Sequence, residues 1–501
     1  EDPLAWWDKN EIQASLKLQK GKENEFVRYK PILMNQSDRK DMQMILKEHM
    51  DLKLISPGVS PYSSPGFLVR NHGEIKRGKP RLVINYQGIN KILEFDGYYI
   101  PSREHLINCV QNAKVFSKFD CKSGFYQIKM EEESKKYTAF STPQGHYIWN
   151  VLPMGLSNAP QIFQRKMDNL FKDYFSFMYV YVDDVLIASK TVKDHLRHLE
   201  IFSDVCFKNG LVLSEKKAVI LTRKIEFLGI EIDESGIILQ THLVEKVRNF
   251  PDNLKTVKQL QSFMGLVNFA GMFINNLASY RKVFSPLLKK DADFKWIEEH
   301  KGTVQQLKKL CQNLPKLAIP NDEDGLVLYT DASDHWWAAV LTKVEPKGEV
   351  PCRYCSGLFA DNHSARLFLL AKKFILKIDN TSVKAFLKNK IESKPEKARL
   401  LRWQAECQYY DFDVMVIKSH ENILADFLTR DGATMEPHEA NTILTRWRHQ
   451  RESLEELNRS INSLAINAKA AGHVQEIDIK KVEAAMKATW LCNTSLWDSL
   501  I

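Results

Sequence analysis

Two adjacent carboxylates, Asp183 and Asp184, stand at the middle of YVYVDDVLIA (residues 179–188), a stretch otherwise apolar and aromatic. Side by side they repel, and any loss of hydration makes both costlier to keep ionised. A third acid, Asp120, arrives in the same way, after an apolar run in VFSKFDCKSGFYQI. A lone turn Asp is commonly a turn former with a solvated side chain. VDDV lacks the Gly or Asn that eases a tight hairpin, so turn formation explains this pair poorly. Carboxylates grouped at strand ends repel unless hard divalent cations sit between them, and Mg²⁺ favours such oxygen ligands together with substrate phosphates.

The elements that must carry these acids are legible as patterns. MYVYVDDVLIAS reads as strand, tight turn, strand; RLVINY and KVFSKFDCKSGFYQI read as further strands. Residues 37–50 place Met42, Ile45, Leu46 and His49 on one helical stripe, closed by the breaker ISPGVSPYSSPG. Near Thr256 the texture changes: Thr256 and Gln259 fit a capping box, and Leu260, Phe263, Met264 and Val267 continue at helical spacing. A helical subdomain is predicted over about 240–318. GLVLYTDAS around Asp331, ILKIDN and YDFDVMVIKS then supply strands of a second α/β domain. From about 436 the chain is polar and helical, with Ile443, Trp447, Leu454, Leu457, Ile461 and Leu464 at heptad-like positions. Such a seam usually packs on its own protein, with self-association as the competing expectation.

Composition bounds the class. The chain has 501 residues, 44% hydrophobic and 27% charged, which suits several packed domains and excludes a disordered or fibrous protein. No run approaches the roughly 18 apolar residues of a membrane span, and EDPLAWWDKN lacks the order of a signal peptide. The expectation is an intracellular protein without a membrane partner; a first residue of Glu suggests a cut from a larger precursor. A net charge of +9 suits a polyanionic partner. Among eight cysteines, Cys352 and Cys355 form a CxxC, but no second ligand pair stands nearby, so two thiols in a reducing compartment are expected rather than zinc.

FDCKSGFYQI, LPMGLSNAPQIFQ, YVDD, LSEKKA and EFLGIEID, in this order, resemble the successive motifs of retroelement reverse transcriptases. With NHGEIKRGKPRLVINYQGINK before them and CRYCSG, TDAS and ADFLTR after them, the chain looks most like the reverse transcriptase–ribonuclease H of plant pararetroviruses, and of their bacilliform branch, over about residues 25–431. The resemblance implies an α+β right-hand polymerase followed by an α/β ribonuclease H-like domain and a helical C-terminal tail. The expected division is an N-terminal extension at 1–24, fingers and palm at 25–238, thumb at 239–318, ribonuclease H-like domain at 319–432 and tail at 433–501.

The same resemblance assigns roles. Asp120 and Asp183 match the acids that hold two Mg²⁺ ions, with Asp184 as the supporting acid and the carbonyl of Cys121 as a further ligand. Lys79 and Arg81 match basic residues that grip the incoming triphosphate. Lys217 matches the lysine thought to protonate the leaving pyrophosphate, although Lys216 beside it leaves that assignment ambiguous. Phe125 matches an aromatic gate that rejects a ribose 2′-hydroxyl. Met154 and Gly155 fall where retroviral enzymes have Gln-Gly, so that Gln contact is absent here, while Gly155 still permits close backbone approach to the nucleotide. Asn85, where many relatives carry Asp, receives no role.

TDAS, KIDN (residues 377–380) and ADFLTR likewise make Asp331, Asp379 and Asp426 metal-ligand candidates for two further Mg²⁺ ions. The family completes this site with a Glu on a helix between the third and fourth strands. No Glu occurs between Glu349 and Glu392, and the approach to KIDN leaves little room for that helix. Either a stretch is left out of this sequence, the favoured explanation, or the domain holds nucleic acid without cutting it. His420 fits a family position near the cleavage site loosely. The implied partners are an RNA template, a DNA primer or template, an RNA:DNA hybrid and deoxynucleoside triphosphates. The implied setting is the host-cell cytoplasm and the virus particle. The readings that compete are an RNA-templated RNA polymerase and a catalytically silent nucleic-acid scaffold.

Overall fold

The computed structural model describes residues 13–70, 80–274, 277–332, 336–346, 348–358, 373–379, 381–388, 407–408 and 410–418. Lys79, His420, Asp426, the heptad-like seam and the stretch where the ribonuclease H helix is expected lie outside the described residues. The chain divides into two compact units, Glu1–Ile225 and Glu226–Ile501.

In the first unit, four antiparallel strands form a sheet in the order Val219–Thr222, Val115–Asp120, Asp184–Ser189, Met178–Tyr181. The two inner strands are buried along most of their length, from Val115 to Ser117 and from Val185 to Ser189. Their apolar runs are continuous, rather than alternating, because neither face is left to water. The helix Val192–Asn209 packs on this sheet; Thr191 caps it by accepting the N–H of Asp194, and Gly210 ends it in the left-handed region at φ 67°. A second helix, Ala159–Phe171, buries Ile162, Phe163, Gln164, Met167 and Phe171 and contacts the strand Met178–Tyr181.

A further five-stranded sheet runs in the order Ile55–Pro57, Gly145–Trp149, Phe140–Thr142, Ser64–Val69, Arg81–Ile84. The helix Gln36–Asp51 follows the predicted stripe, burying Met42, Ile45 and Leu46 and setting the His49 ring edge-on to Trp149. One expectation fails here. CKSGFYQI does not continue the strand: the chain turns through Ser123 at φ 50° into a 3-10 helix, Gly124–Gln127. The buried Gln127 amide donates to the carbonyls of Lys122 and Val212 and accepts from Val212, and so draws this turn against the neighbouring segment.

The second unit begins with a hairpin of Ile230–Asp233 and Gly236–Leu239, followed by the helices Thr241–Arg248, Val257–Phe269, Leu277–Phe284 and Glu298–Gln312. Thr256 caps its helix through the N–H of Gln259, as the sequence predicts, and Leu260, Phe263, Met264 and Val267 face inward. The Gln259 side chain accepts from the N–H of Lys255, one residue ahead of the cap. A mixed five-stranded sheet follows, in the order Gly348–Leu358, Trp336–Glu345, Leu326–Ala332, Lys373–Ile378, Asp411–Val416. Its first three strands are antiparallel and its last two join in parallel. Among the described residues no helix is long and apolar enough to cross a membrane.

Candidate active site

The YVDD hairpin is a two-residue turn: Tyr181 pairs with Asp184, leaving Val182 and Asp183 at the tip. Val182 sits at φ 54°, a left-handed conformation that a β-branched residue adopts only under strain. What holds it comes from another element. Gln164, fully buried in the helix Ala159–Phe171, accepts the Val182 N–H at 2.7 Å and donates to the Val180 carbonyl at 3.2 Å and to Asp168 at 2.8 Å. Nothing in the type or spacing of Gln164, the last residue of LPMGLSNAPQIFQ, signals this role; the absence of a turn-forming residue in VDDV is the one sign in the sequence that something outside the turn holds it.

The three acids meet at one end of the sheet. Asp184 is the direct cross-strand partner of Asp120, and the N–H of Cys121 donates to the carbonyl of Asp183 at 2.9 Å. Gly124 is a second residue that sequence reading passed over. A Cβ there would stand 3.3 Å from the Cβ of Asp183 and 3.0 Å from the Phe163 ring, so this position keeps a hydrogen for close packing under the acid. Burial raises the carboxyl pKa of Asp183, and repulsion from Asp120 adds to it. Asp184 is raised likewise, by burial first and then by Asp183. Like charges directly across a ladder are unfavourable, so this end of the sheet is short of positive charge.

Lys217 answers part of that shortage. Its Nζ lies 2.9 and 2.8 Å from the two carboxylate oxygens of Asp120. Lys217 is thus the lysine of LSEKKA whose ammonium reaches the acids. Both oxygens of this carboxylate thus accept from one ammonium. With Asp120 turned to Lys217, no three His, Cys, Asp or Glu side chains close into a ready metal cage among the described residues. The donor set fits divalent ions by its chemistry: all-oxygen ligands, unpaired negative charge and partial burial.

The other predicted residues distribute around this centre. The half-buried Phe125 ring lies 5.3 Å from Phe163, in the 3-10 turn directly after Asp120. Cys121 is buried, and that burial pushes its thiol well above the usual range. The guanidinium of Arg81 contacts the Met154 sulfur. Gly155 adopts φ 99°; its carbonyl accepts from Asn90, and a Cβ would stand 3.4 Å from the Tyr86 ring. Asn85 accepts the N–H of Gln87, a local turn bond. Arg81, Met154 and Gly155 therefore belong to one neighbourhood on the five-stranded sheet and the loop beside it.

In the second unit, the parallel register pairs Tyr329 with Lys377. Asp331 lies two residues further along its strand, Leu326–Ala332, and Asp379 directly follows the adjacent strand, Lys373–Ile378. Behind them lies a polar cluster: Lys377 Nζ reaches the Tyr329 hydroxyl at 2.9 Å and Glu349 at 3.3 Å, while Thr342 donates to Glu349 at 2.7 Å. Glu349, the last Glu before the gap, is therefore occupied by Lys377, Tyr329 and Thr342. Cys352 is buried with its thiol pushed up to about 12, and Cys355 is free and partly exposed.

Comparison with known proteins agrees with this arrangement. Residues 69–232 match the family described as reverse transcriptase (RNA-dependent DNA polymerase), and residues 296–377 match the RNase H-like domain found in reverse transcriptase. The chain is 39% identical over 442 residues to the enzymatic polyprotein of cauliflower mosaic virus, covering 84% of this chain and 65% of that protein. It is 39% identical over 424 residues to that of figwort mosaic virus, covering 81% and 64%. With the polyprotein of cassava vein mosaic virus it shares 36% over 461 residues, covering 86% and 70%. The chain thus spans about two thirds of the length of these relatives. In fold it is similar to the foamy viral protease-reverse transcriptase solved with an RNA/DNA hybrid, at a TM-score of 0.65 and 21% identity, over 82% of this chain and 57% of that one. The right-hand polymerase with an RNase H-like domain is therefore the fold, and the chain belongs to the reverse transcriptase–RNase H family carried by the enzymatic polyproteins of plant pararetroviruses.

Proposed function

We propose that this chain is an RNA- and DNA-templated DNA polymerase that adds deoxynucleotides to a primer, with a fused ribonuclease H-like domain directed at RNA:DNA hybrids. The observation that carries the reading is the meeting of Asp120, the Asp183–Asp184 hairpin and Lys217 at one sheet end in a member of this family. Domains of this kind use divalent metal ions. Our reading is two Mg²⁺ at the first site, held by Asp120, Asp183 and the Cys121 carbonyl, with Asp184 as the supporting charge.

Bound there, such ions supply activation of the primer 3′-hydroxyl and stabilise the attacking and leaving oxygens of an in-line displacement. The chain's own residues do the rest. The rigid hairpin keeps Asp183 in place, Arg81 and Lys79 grip the triphosphate, and the Gly155 backbone admits the nucleotide. Lys217 gives a proton to the leaving pyrophosphate after exchanging Asp120 for phosphate oxygens. Phe125 closes the space that a 2′-hydroxyl would need, which favours DNA over RNA as the product.

For the second site we read Asp331, Asp379 and Asp426 as acids directed at two Mg²⁺ ions, with fingers and palm at 25–238, thumb at 239–318 and the ribonuclease H-like domain at 319–432. Nucleic acid would be held mainly through phosphates, with steep salt dependence and little sequence preference. Cytoplasm and virus particle are the proposed setting. Extension of a labelled primer on RNA and on DNA templates with Mg²⁺, run beside cleavage of the RNA in a hybrid, tests the reading. Extension with deoxynucleotides on both templates supports it. Extension with ribonucleotides alone favours an RNA polymerase, and binding without extension favours a silent scaffold.

A further inference from the structure

Behind the acids lies a buried polar chain that the proposed chemistry does not use. His195, on the helix Val192–Asn209, is fully buried between two sheet strands. Its Nε2 lies 2.7 Å from the Ser117 hydroxyl, and its Nδ1 lies 2.8 Å from the Ser189 hydroxyl. Ser189 also meets His198 Nδ1 at 2.8 Å, and the His198 ring stacks on Phe177 at 3.6 Å between centroids. Ser117 is three residues before Asp120 on the same strand, and the pleat turns its side chain to the opposite face.

The connection to the site runs through the edge strand. Val219 pairs with Lys118 and Thr222 with Phe116, so three steps on the edge strand cover two on its neighbour, which makes a bulge. Leu221, within the bulge, sits at φ 56°, and its N–H donates to the Ser117 hydroxyl at 2.9 Å. At the other end of the segment, the Ser214 N–H donates to the Asp120 carbonyl at 2.8 Å. The turn between these two anchors carries Lys217. A buried histidine thus stands under one anchor of the segment that holds Lys217 beside Asp120, together with the Val219–Lys118 pairing and the Ser214 bond.

We propose that His195 is a positioning residue for nucleotide addition: through Ser117 it fixes the Leu221 bulge and so the turn that presents Lys217. This rests on the reading of Lys217 as the proton donor to pyrophosphate. A histidine that merely filled the core would affect folding and leave the chemical step alone. The two roles separate in a double-mutant cycle on the rate of single-nucleotide addition, with primer–template affinity measured alongside.

His195→Leu, which removes the buried bonds to both Ser117 and Ser189, should slow addition about tenfold through the loss of the Ser117 contact. Its primer–template affinity should stay within about twofold of the parent. In a Lys217→Ala background the same substitution should cost nothing further. An undiminished tenfold loss in that background overturns the proposal alone, as does a loss confined to primer–template binding. A Lys217→Ala chain that adds nucleotides at the parent rate overturns the reading of Lys217, and the proposal with it. Ser117→Ala, which removes one hydroxyl and leaves the packing in place, runs the same cycle should the leucine variant fail to fold.

Discussion

The buried side chain of Gln164 accepts the N–H of Val182 at 2.7 Å and so pins the strained residue at the tip of the YVDD hairpin. Gln164→Leu removes that acceptor, leaving the Val182 N–H without it, and takes one of two donors from Asp168, which keeps the Tyr98 hydroxyl. The expected cost is about 1–3 kcal/mol in stability, with primer extension falling as the tip relaxes. Adding Val182→Gly should recover part of the stability, because glycine holds a positive φ without the pin. Urea unfolding of the single and double variants measures this. Equal stability of Gln164→Leu and the parent would contradict the assignment.

Asp184 carries an unfavourable charge in the folded state, raised by burial and by its neighbour Asp183. A carboxyl whose folded pKa lies above its unfolded value binds more protons when folded, so the fold loses stability as pH rises from 3.8 through the raised value. Asp184→Asn removes this loss. Without divalent ions the variant should melt a few degrees higher than the parent at pH 7, and the gap should close near pH 3.5. Added Mg²⁺ should narrow the gap at pH 7 by stabilising the parent. Thermal melts across pH decide it; a variant less stable at pH 7 than at pH 3.5, relative to the parent, has the wrong sign.

Lys377 and Glu349 form a nearly buried pair whose side chains retain 10% and 16% exposure. Removing one partner leaves the other charge nearly buried with only neutral hydroxyls beside it, Tyr329 for Lys377 and Tyr329 and Thr342 for Glu349. Lys377→Met should therefore destabilise the second unit by about 3–5 kcal/mol, and combining it with Glu349→Leu should restore most of the loss. Denaturant unfolding followed by tryptophan fluorescence reads both. A double variant as unstable as the single one would show that packing, not the stranded charge, sets the cost.

Phe125 is half-buried against Phe163 in the turn that follows Asp120. Phe125→Val should admit ribonucleotides, raising their incorporation relative to deoxynucleotides on the order of tenfold to a hundredfold. Competition between the two nucleotide types in single-addition assays measures the ratio. Unchanged rejection of ribonucleotides would remove Phe125 from the gate.

Much of this architecture was legible because local pattern and tertiary role coincide. The helix over Met42, Ile45 and Leu46, the Thr256 cap and the strand pair around Asp183 all follow from apolar spacing and turn chemistry. What the pattern missed was set by distant partners. CKSGFYQI looks like a strand by composition, yet the Gln127 amide bonds to Val212, 85 residues away, within a 3-10 turn. Gln164 and His195 look like ordinary helix residues, and their importance lies in the backbone groups they meet on other elements. The pairing of Lys217 rather than Lys216 with Asp120 goes with a cross-strand register, Val219 opposite Lys118, that no local spacing encodes. The branch within the plant pararetroviruses stays an expectation drawn from motifs.

The central claim is that Asp120 and the Asp183–Asp184 hairpin form one metal-dependent polymerase site, and Asp183→Asn tests it most directly. In primer extension on an RNA template with Mg²⁺, the variant should lose extension altogether while binding an RNA:DNA hybrid as the parent does. Extension persisting at the parent rate in Asp183→Asn would contradict the account.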